Sequence, residues 1–288
     1  MKNVAVIFAG GTGTRMGVKD VPKQFLEVGG KPIIIYTLEY FQNHSEIDEI
    51  YVVCIEPWID YLKFQLEKYG MSKVVSVVPG GKTGQDSIYI GLKEAEKNCS
   101  PDDVVLIHDG VRPFISPELI SRNIADTRRN GNSITCTGCN ETFIISKDTV
   151  NVDSVPVRRE SYNAQAPQAF RLGEIIEAHE TMRAKNPDYI DVIDSCTLFN
   201  MLGKKTYLTE GVVQLRARLI ANDDDEQYEK GDKITSYSYN IYLNIDEKNG
   251  TNDSFDVQSI EAPEKYKRSW FKPGIDRVIY LNVGHAAY

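Results

Sequence analysis

Short apolar runs alternate with amphipathic stretches from the N-terminus to Asn130. Val4–Phe8, Glu49–Ile55, Val74–Val78 and Val104–His108 are rich in Val and Ile. They lack a regular polar alternation, which is the pattern of strands buried on both faces. Between and after them, Lys31–Phe41, Trp58–Tyr69, Ser87–Glu96 and Pro117–Asn130 place apolar residues at helical spacing. Alternation of strand and helix predicts a Rossmann-like α/β fold, a mostly parallel sheet with helices on both faces. Ligands of such sheets gather at the carboxyl ends of the strands.

Beyond Asn130 the pattern changes. Ser133–Val157 is short-sided, β-branched and polar, as in Thr142-Phe-Ile-Ile-Ser146 and Asp148-Thr-Val-Asn-Val152, and predicts a hairpin excursion. Asp194 is placed to cap a helix over 195–202. After Val212, the acidic run Asp223–Glu226 reads as a solvated loop and 246–262 as a polar linker. Trp270, Phe271 and Ile275–Val283 are apolar enough to pack again, and no internal repeat is found.

A chain of 288 residues can bury a substantial core, and its formal charge of −8 argues against a general nucleic-acid surface. An acidic chain can still hold a polyphosphate where local cations and amides converge. Neither a signal peptide nor a run of membrane-spanning length is found, so a cytoplasmic protein with no membrane partner is expected. The five cysteines are odd in number and scattered, which fits reduced thiols. Cys136-Thr-Gly-Cys139 has metal-ligand spacing but lacks a second pair or a His partner, and reads as two small residues in or beside a strand.

The chemistry is concentrated in Phe8–Phe25, FAGGTGTRMGVKDVPKQF, which follows the first strand. Glycines permit tight turns and close backbone approach, and the amides of such a loop form an anion-binding concavity. Arg15 and Lys23 add two cations, a set suited to a triphosphate. The loop lacks the Gly-Lys-Ser/Thr of a P-loop. It also fits the dinucleotide fingerprint poorly, because the next strand ends at Glu56, some 40 residues on, and no acidic ribose ligand stands near Ile35.

Ala-Gly-Gly-x-Gly-x-Arg-Met-Gly followed by Pro-Lys-Gln resembles the sugar- and polyol-phosphate nucleotidyltransferases, above all the methylerythritol-phosphate and ribitol-phosphate cytidylyltransferases. Four further segments carry the likeness in order: Gly80-Gly-Lys-Thr-Gly-Gln-Asp-Ser87, His108-Asp-Gly-Val-Arg-Pro113, Gln165-Ala-Pro-Gln-Ala-Phe170 and Asp194-Ser-Cys-Thr197. The resemblance implies transfer of a cytidylyl group from CTP to a polyol phosphate, with release of pyrophosphate. Ribitol 5-phosphate or a related pentitol phosphate is the favoured acceptor, methylerythritol phosphate the alternative, and a nucleotide-binding module without turnover the contrasting class. The product would feed a cell-wall or capsule polymer such as a teichoic acid.

The same resemblance implies the site. Phe8, Ala9, Gly10, Gly11, Thr12 and Gly13 would line the nucleotide, and Arg15 and Lys23 would hold its phosphates. Gly80, Gly81, Lys82 and Ser87 would meet the base and ribose. Asp109, with Gly110, would meet the nucleotide, Asp109 would also hold Mg²⁺ or substrate, and Arg112 would bind the second substrate and brace Asp109 or the loop. Arg158 and Arg159 would take the phosphate of the second substrate, supplied through an arm, about residues 133–160, that joins two subunits of a homodimer. His108 is read as structural, since a phosphomonoester nucleophile needs no general base. Lys233, in Asp232-Lys-Ile-Thr235, is the candidate for a late phosphate-contacting Lys. Departures from the family pattern are Gly84 in place of Arg, Ala166 in place of Thr, Ile193 in place of Thr, an insert at about 212–231, and an extension over 246–288 beyond a catalytic domain of 1–245.

Overall fold

A computed structural model describes residues 1–10, 21–211, 215–219, 238–241 and 279–281. Elements run in the order β1 (Asn3–Ala9), β2 (Glu27–Val28), β3 (Lys31–Pro32), α1 (Ile33–Asn43), β4 (Glu49–Cys54), α2 (Ile59–Lys68), β5 (Val74–Pro79), α3 (Gly84–Glu96), β6 (Val104–Asp109) and α4 (Pro117–Asn130). They continue with β7 (Asn132–Gly138), β8 (Tyr162–Arg171), α5 (Leu172–Lys185), α6 (Ser195–Met201), β9 (Leu208–Glu210), β10 (Leu215–Leu219), β11 (Ser238–Ile241) and β12 (Ile279–Leu281). Two units result, one of residues 1–27 and 31–211, the other of 28–30 and 212–288. In the second, β10 pairs antiparallel with β11 and with β12. The domain boundary expected at 245 and most of the 212–231 insert and 246–288 extension lie outside the described residues.

The first unit is built on a seven-stranded sheet in the order β5-β4-β1-β6-β8-β7-β9. β5, β4, β1 and β6 are mutually parallel, and β8 runs antiparallel to β6 and β7. Period-two alternation divides the apolar residues of each strand between two cores. Ala5, Ile7 and Ala9 of β1 face α1, α2 and α4 beside Ile50, Val52 and Leu106. Val4 and Val6 face α3, α5 and α6 beside Tyr51, Val53, Val105 and Phe170. The predicted two-faced α/β sheet is thus observed. Helix α3 lies so close to it that a Cβ on Gly91 would stand 2.6 Å from Val6 Cγ1 and 2.8 Å from Val53 Cγ2. Helix α5, which was not anticipated, buries a face of Leu172, Ile175, Ile176, Ala178, His179 and Met182.

The sequence-based arm is narrower than expected. Residues 133–138 belong to β7, inside the sheet, rather than to an excursion. Their polar side chains are buried and satisfied: Ser133 Oγ donates to Asn123 Oδ1 at 2.8 Å and lies 2.7 Å from Thr209 Oγ1, and Asn123 Nδ2 donates to Thr135 Oγ1 at 3.0 Å. The excursion proper follows β7 and carries one antiparallel bridge, Ile145 to Ser154. Glu141–Val155 is exposed throughout, including Phe143, Ile144, Ile145, Val150 and Val152.

Candidate active site

The register of the parallel strands sets their ends level. Phe8 lies opposite Asp109, Ala9 opposite Cys54, and Cys54 opposite Pro79. β1 is also where the strand order reverses, with β4 on one side and β6 on the other, the place where open α/β sheets leave a crevice. Phe8, Ala9, Gly10, Gly80, Gly81, Ser87, Asp109 and Gly110 therefore meet along one edge. A Cβ on either Gly10 or Gly80 would stand 3.0 Å from Ser87 Oγ, tighter than ordinary packing, so the glycines ease the approach of both backbones to that hydroxyl. Ser87 is buried; its Oγ donates to the Thr83 carbonyl at 3.0 Å and accepts from the Gly81 amide at 3.1 Å. Lys82 is exposed on the same turn.

Helix α3 begins earlier than expected. Thr83 is the N-cap: its Oγ1 accepts from Asp86 N at 3.0 Å, while Asp86 Oδ2 accepts from Thr83 N at 3.3 Å. This reciprocal capping box satisfies amides that a helix start leaves open.

Gly11, Thr12, Gly13 and Arg15 lie outside the described residues, as does Lys233. The far end of the glycine loop is fixed, however. Gln24, fully buried, donates from Nε2 to the Ala9 carbonyl at 2.7 Å, tying Pro22-Lys-Gln24 to the last residue of β1. Phe25 then stacks on Trp58, centroids 4.8 Å apart, and meets Tyr61 edge-on at 5.5 Å. Lys23, half-buried in a single 3-10 turn, is thus held beside the strand ends. Gln24 is a positioning residue that sequence reasoning passed over, although it stood within the quoted Pro-Lys-Gln motif.

Asp109 ends β6, half-buried, with Oδ1 accepting from the Val111 amide at 3.2 Å and Oδ2 lying 3.6 Å from Arg112 Nε. Arg112 braces Asp109 as expected from its position. His108 is buried, and its Nε2 donates to the Arg112 carbonyl at 3.0 Å, which fixes the turn. Burial pushes its pKa down to about 4, so the ring is neutral near pH 7. This agrees with the structural reading of His108. Among the described residues, no group of three His, Cys, Asp or Glu side chains is disposed to hold a metal by itself. Cys136 and Cys139 are buried free thiols, and burial raises the pKa of Cys136.

Arg158 and Arg159 are not on this edge. They sit exposed on a 3-10 turn leading into β8. Since β8 pairs with β6 only through its second half, Ile107 opposite Gln168, its first half projects past the carboxyl ends of the parallel strands. Arg158 Nη2 donates to Thr142 Oγ1 at 2.8 Å, and Arg159 Nε lies 3.5 Å from Glu160 Oε1. Both help line a cavity of about 640 Å³ with Gly138, Cys139 and Tyr162. Asp194 caps α6 as expected, accepting from Thr197 N at 2.7 Å, and also receives Gln168 Nε2 at 2.8 Å. The Gln165–Phe170 motif is thereby joined to the start of α6.

Known proteins agree with this arrangement. The sequence model of the 2-C-methyl-D-erythritol 4-phosphate cytidylyltransferase family, IspD, matches residues 3–217. A ribitol-5-phosphate cytidylyltransferase of Vibrio parahaemolyticus is 48% identical over 210 residues, 73% of this chain and 87% of that protein. A 2-C-methyl-D-erythritol 4-phosphate cytidylyltransferase of Clostridium botulinum is 38% identical over 217 residues, 73% of this chain and 89% of that protein. Among solved structures, the 4-diphosphocytidyl-2C-methyl-D-erythritol synthase of Anaerococcus prevotii superposes with a TM-score of 0.61 at 34% identity, covering 73% of this chain and 87% of that one. The strand-end glycine edge, the Pro-Lys-Gln tether and these matches lead to one conclusion: the chain belongs to this family of cytidylyltransferase enzymes.

Proposed function

We propose that the chain joins CTP to ribitol 5-phosphate, giving CDP-ribitol and pyrophosphate. The observation that carries this reading is the convergence of Gly10, Gly80, Gly81, Ser87 and Asp109 on one strand-end edge, with Lys23 tethered beside it. The choice of ribitol phosphate rests on the 48% identity to a relative of that name, against 38% to a methylerythritol-phosphate enzyme.

A phosphomonoester oxygen of the acceptor attacks the α-phosphorus of CTP, and the bond to the β-phosphate oxygen breaks. Charge builds on the α-phosphate oxygens and on the departing pyrophosphate, so the protein's task is to aim cations and N–H donors there. Arg15 presents a planar fork to the phosphates and Lys23 a point charge. Lys233 adds a third cation. Backbone groups of Phe8–Gly13 cradle the triphosphate, and Gly80–Lys82 with Ser87 reads cytosine and ribose.

Asp109 fits a role in holding Mg²⁺: one half-exposed carboxylate at a strand end, completed by substrate phosphates, is a donor set this ion favours. When bound, Mg²⁺ would neutralise charge on the triphosphate and on the leaving pyrophosphate. Arg112 keeps Asp109 oriented for that purpose.

Arg158 and Arg159 bind the acceptor phosphate, and the exposed apolar residues of the excursion, Phe143 to Val157, join two copies into a homodimer. No helix among the described residues is long and apolar enough to cross a membrane. A cytoplasmic enzyme supplying CDP-ribitol to a cell-wall or capsule polymer such as teichoic acid is consistent with this. The test is pyrophosphate release from CTP and Mg²⁺ with ribitol 5-phosphate or methylerythritol 4-phosphate. Release with ribitol 5-phosphate is expected. Release with methylerythritol phosphate alone reassigns the acceptor, and release with neither rejects the reading.

A further inference from the structure

The turn proposed to read the base is held from behind by side chains to which the mechanism gives no role. Asp86 is central. Its Oδ2 accepts from Thr83 Oγ1 at 3.0 Å and from Thr83 N at 3.3 Å, while its Oδ1 receives Arg183 Nη1, from α5, at 2.6 Å. Thr83 in turn offers its carbonyl to Ser87 Oγ, and Ser87 Oγ accepts the Gly81 amide at 3.1 Å. Four hydrogen-bonded links, through Asp86, Thr83 and Ser87, thus connect the Arg183 guanidinium to the backbone of the glycine turn.

Arg183 is itself confined. Its guanidinium carbon lies 4.8 Å from the Tyr89 ring centroid and 5.7 Å from that of Tyr189. The Tyr189 hydroxyl lies in turn 2.8 Å from Nδ1 of buried His179. A second tie comes from the same region of the fold, where Gln85 Nε2 donates to the Ile193 carbonyl at 3.3 Å.

We infer that Arg183, acting through Asp86, is a positioning residue for the nucleotide: it sets the Thr83–Ser87 capping turn and thereby the orientation of the Gly80–Gly81 backbone toward the base. The inference rests on the assignment of that turn to CTP. A charge-assisted pair with one partner fixed between two rings loses little side-chain freedom when it forms. The geometry of the turn is therefore settled before ligand arrives, and preorganisation of this kind appears as affinity.

The test compares wild type with Arg183→Met, Arg183→Lys, Asp86→Asn and the Asp86→Asn/Arg183→Met double variant. Calorimetry with CTP and Mg²⁺, without acceptor, gives binding, and steady-state kinetics give KM and kcat. Arg183→Met and Asp86→Asn should each weaken CTP binding and raise its KM about tenfold, or about 1.4 kcal/mol. kcat and the KM for ribitol 5-phosphate should stay within about twofold. Arg183→Lys, which keeps the charge, should recover most of the loss, and the double variant should be no worse than either single one. A lower melting temperature with unchanged CTP affinity would make the pair a structural brace and overturn the inference, as would equal effects on both substrates. Failure of wild type itself to bind CTP would instead sink the underlying reading of the turn, an outcome visible before any variant is made.

Discussion

The parallel half of the sheet and the excursion that follows β7 use similar residues for opposite ends. Both are rich in Val and Ile. In β1 every residue from Val4 to Ile7 is buried, and successive side chains feed two different cores. In the excursion Ile144, Val150 and Val152 are more than half exposed, and one bridge is its main regular pairing. Composition alone therefore does not decide burial; the neighbours along the chain do. Strands followed by helices have a cover for each face, whereas the excursion has no following helix to lie under. The first region is fixed by packing and can carry a precise polar edge. The second presents apolar surface that a partner could cover.

The largest expected effect falls on the first region. Arg15→Ala should lower kcat about 10²–10³-fold, the scale of losing one donor to developing charge. The far-ultraviolet spectrum and melting temperature should not change, as befits a side chain that serves phosphates rather than packing. Unaltered turnover would detach the loop from the chemistry. Next comes packing. Gly91→Ala drives a methyl into Val6 and Val53 and should cost about 1–3 kcal/mol of stability, read from urea midpoints. A neutral result would mean that α3 can lift off the sheet without penalty.

A third effect is set by pH. His179 is buried neutral, and burial lowers its pKa to about 3, against about 6.5 in an unfolded chain. Below about pH 6.5 the unfolded chain binds the extra proton, so stability is full above that pH and falls as acid approaches the folded value. The slope from this residue is at most about 1.4 kcal/mol per pH unit. Urea midpoints between pH 7 and 4.5 should drop less steeply in His179→Gln than in wild type. The smallest effect belongs to the excursion: Val150→Ser should shift monomer stability by less than about 0.5 kcal/mol. The same change should weaken self-association in sedimentation experiments. A large loss of stability would show that the excursion packs on its own chain, and the contrast drawn above would fail.

The parts of the fold legible in the sequence were those whose burial is written in side-chain type. β1, β4 and β6 are apolar and buried on both faces, and their bounds match the sequence reading to within a residue; β5 matches as closely but lies at the sheet edge with Val75 exposed. β7 was read as part of an arm because Ser133 and Thr135 look solvent-facing. They are buried because Asn123 and Thr209 satisfy their hydroxyls, partners that arrive from α4 and β9 and that no local window contains. Helix α5 was missed since its buried face includes His179, a residue that breaks an apolar stripe. At the site, the glycines and Lys23 stand out through the Pro-Lys-Gln context and the family resemblance rather than through spacing alone. Gln24 belongs to the Pro-Lys-Gln motif, but its task cannot be read locally, because its hydrogen bond to Ala9 crosses the loop. Thr83 as cap was open to sequence reading, since Thr-x-x-Asp has the spacing of a capping box. Arg183 was not, since its pairing with Asp86 joins residues far apart in the chain.

The tether from Gln24 to Ala9 has a consequence for how this protein can diverge. It pins together the two chain ends that bracket the segment from Gly10 to Lys23. Closing a chain segment between fixed ends costs only about 0.6 kcal/mol more for each doubling of its length. A one-residue insertion between the pinned ends should therefore add little closure cost, and its effect should be read first in catalysis. Selection can therefore retune what the segment grips without renegotiating the scaffold that carries it.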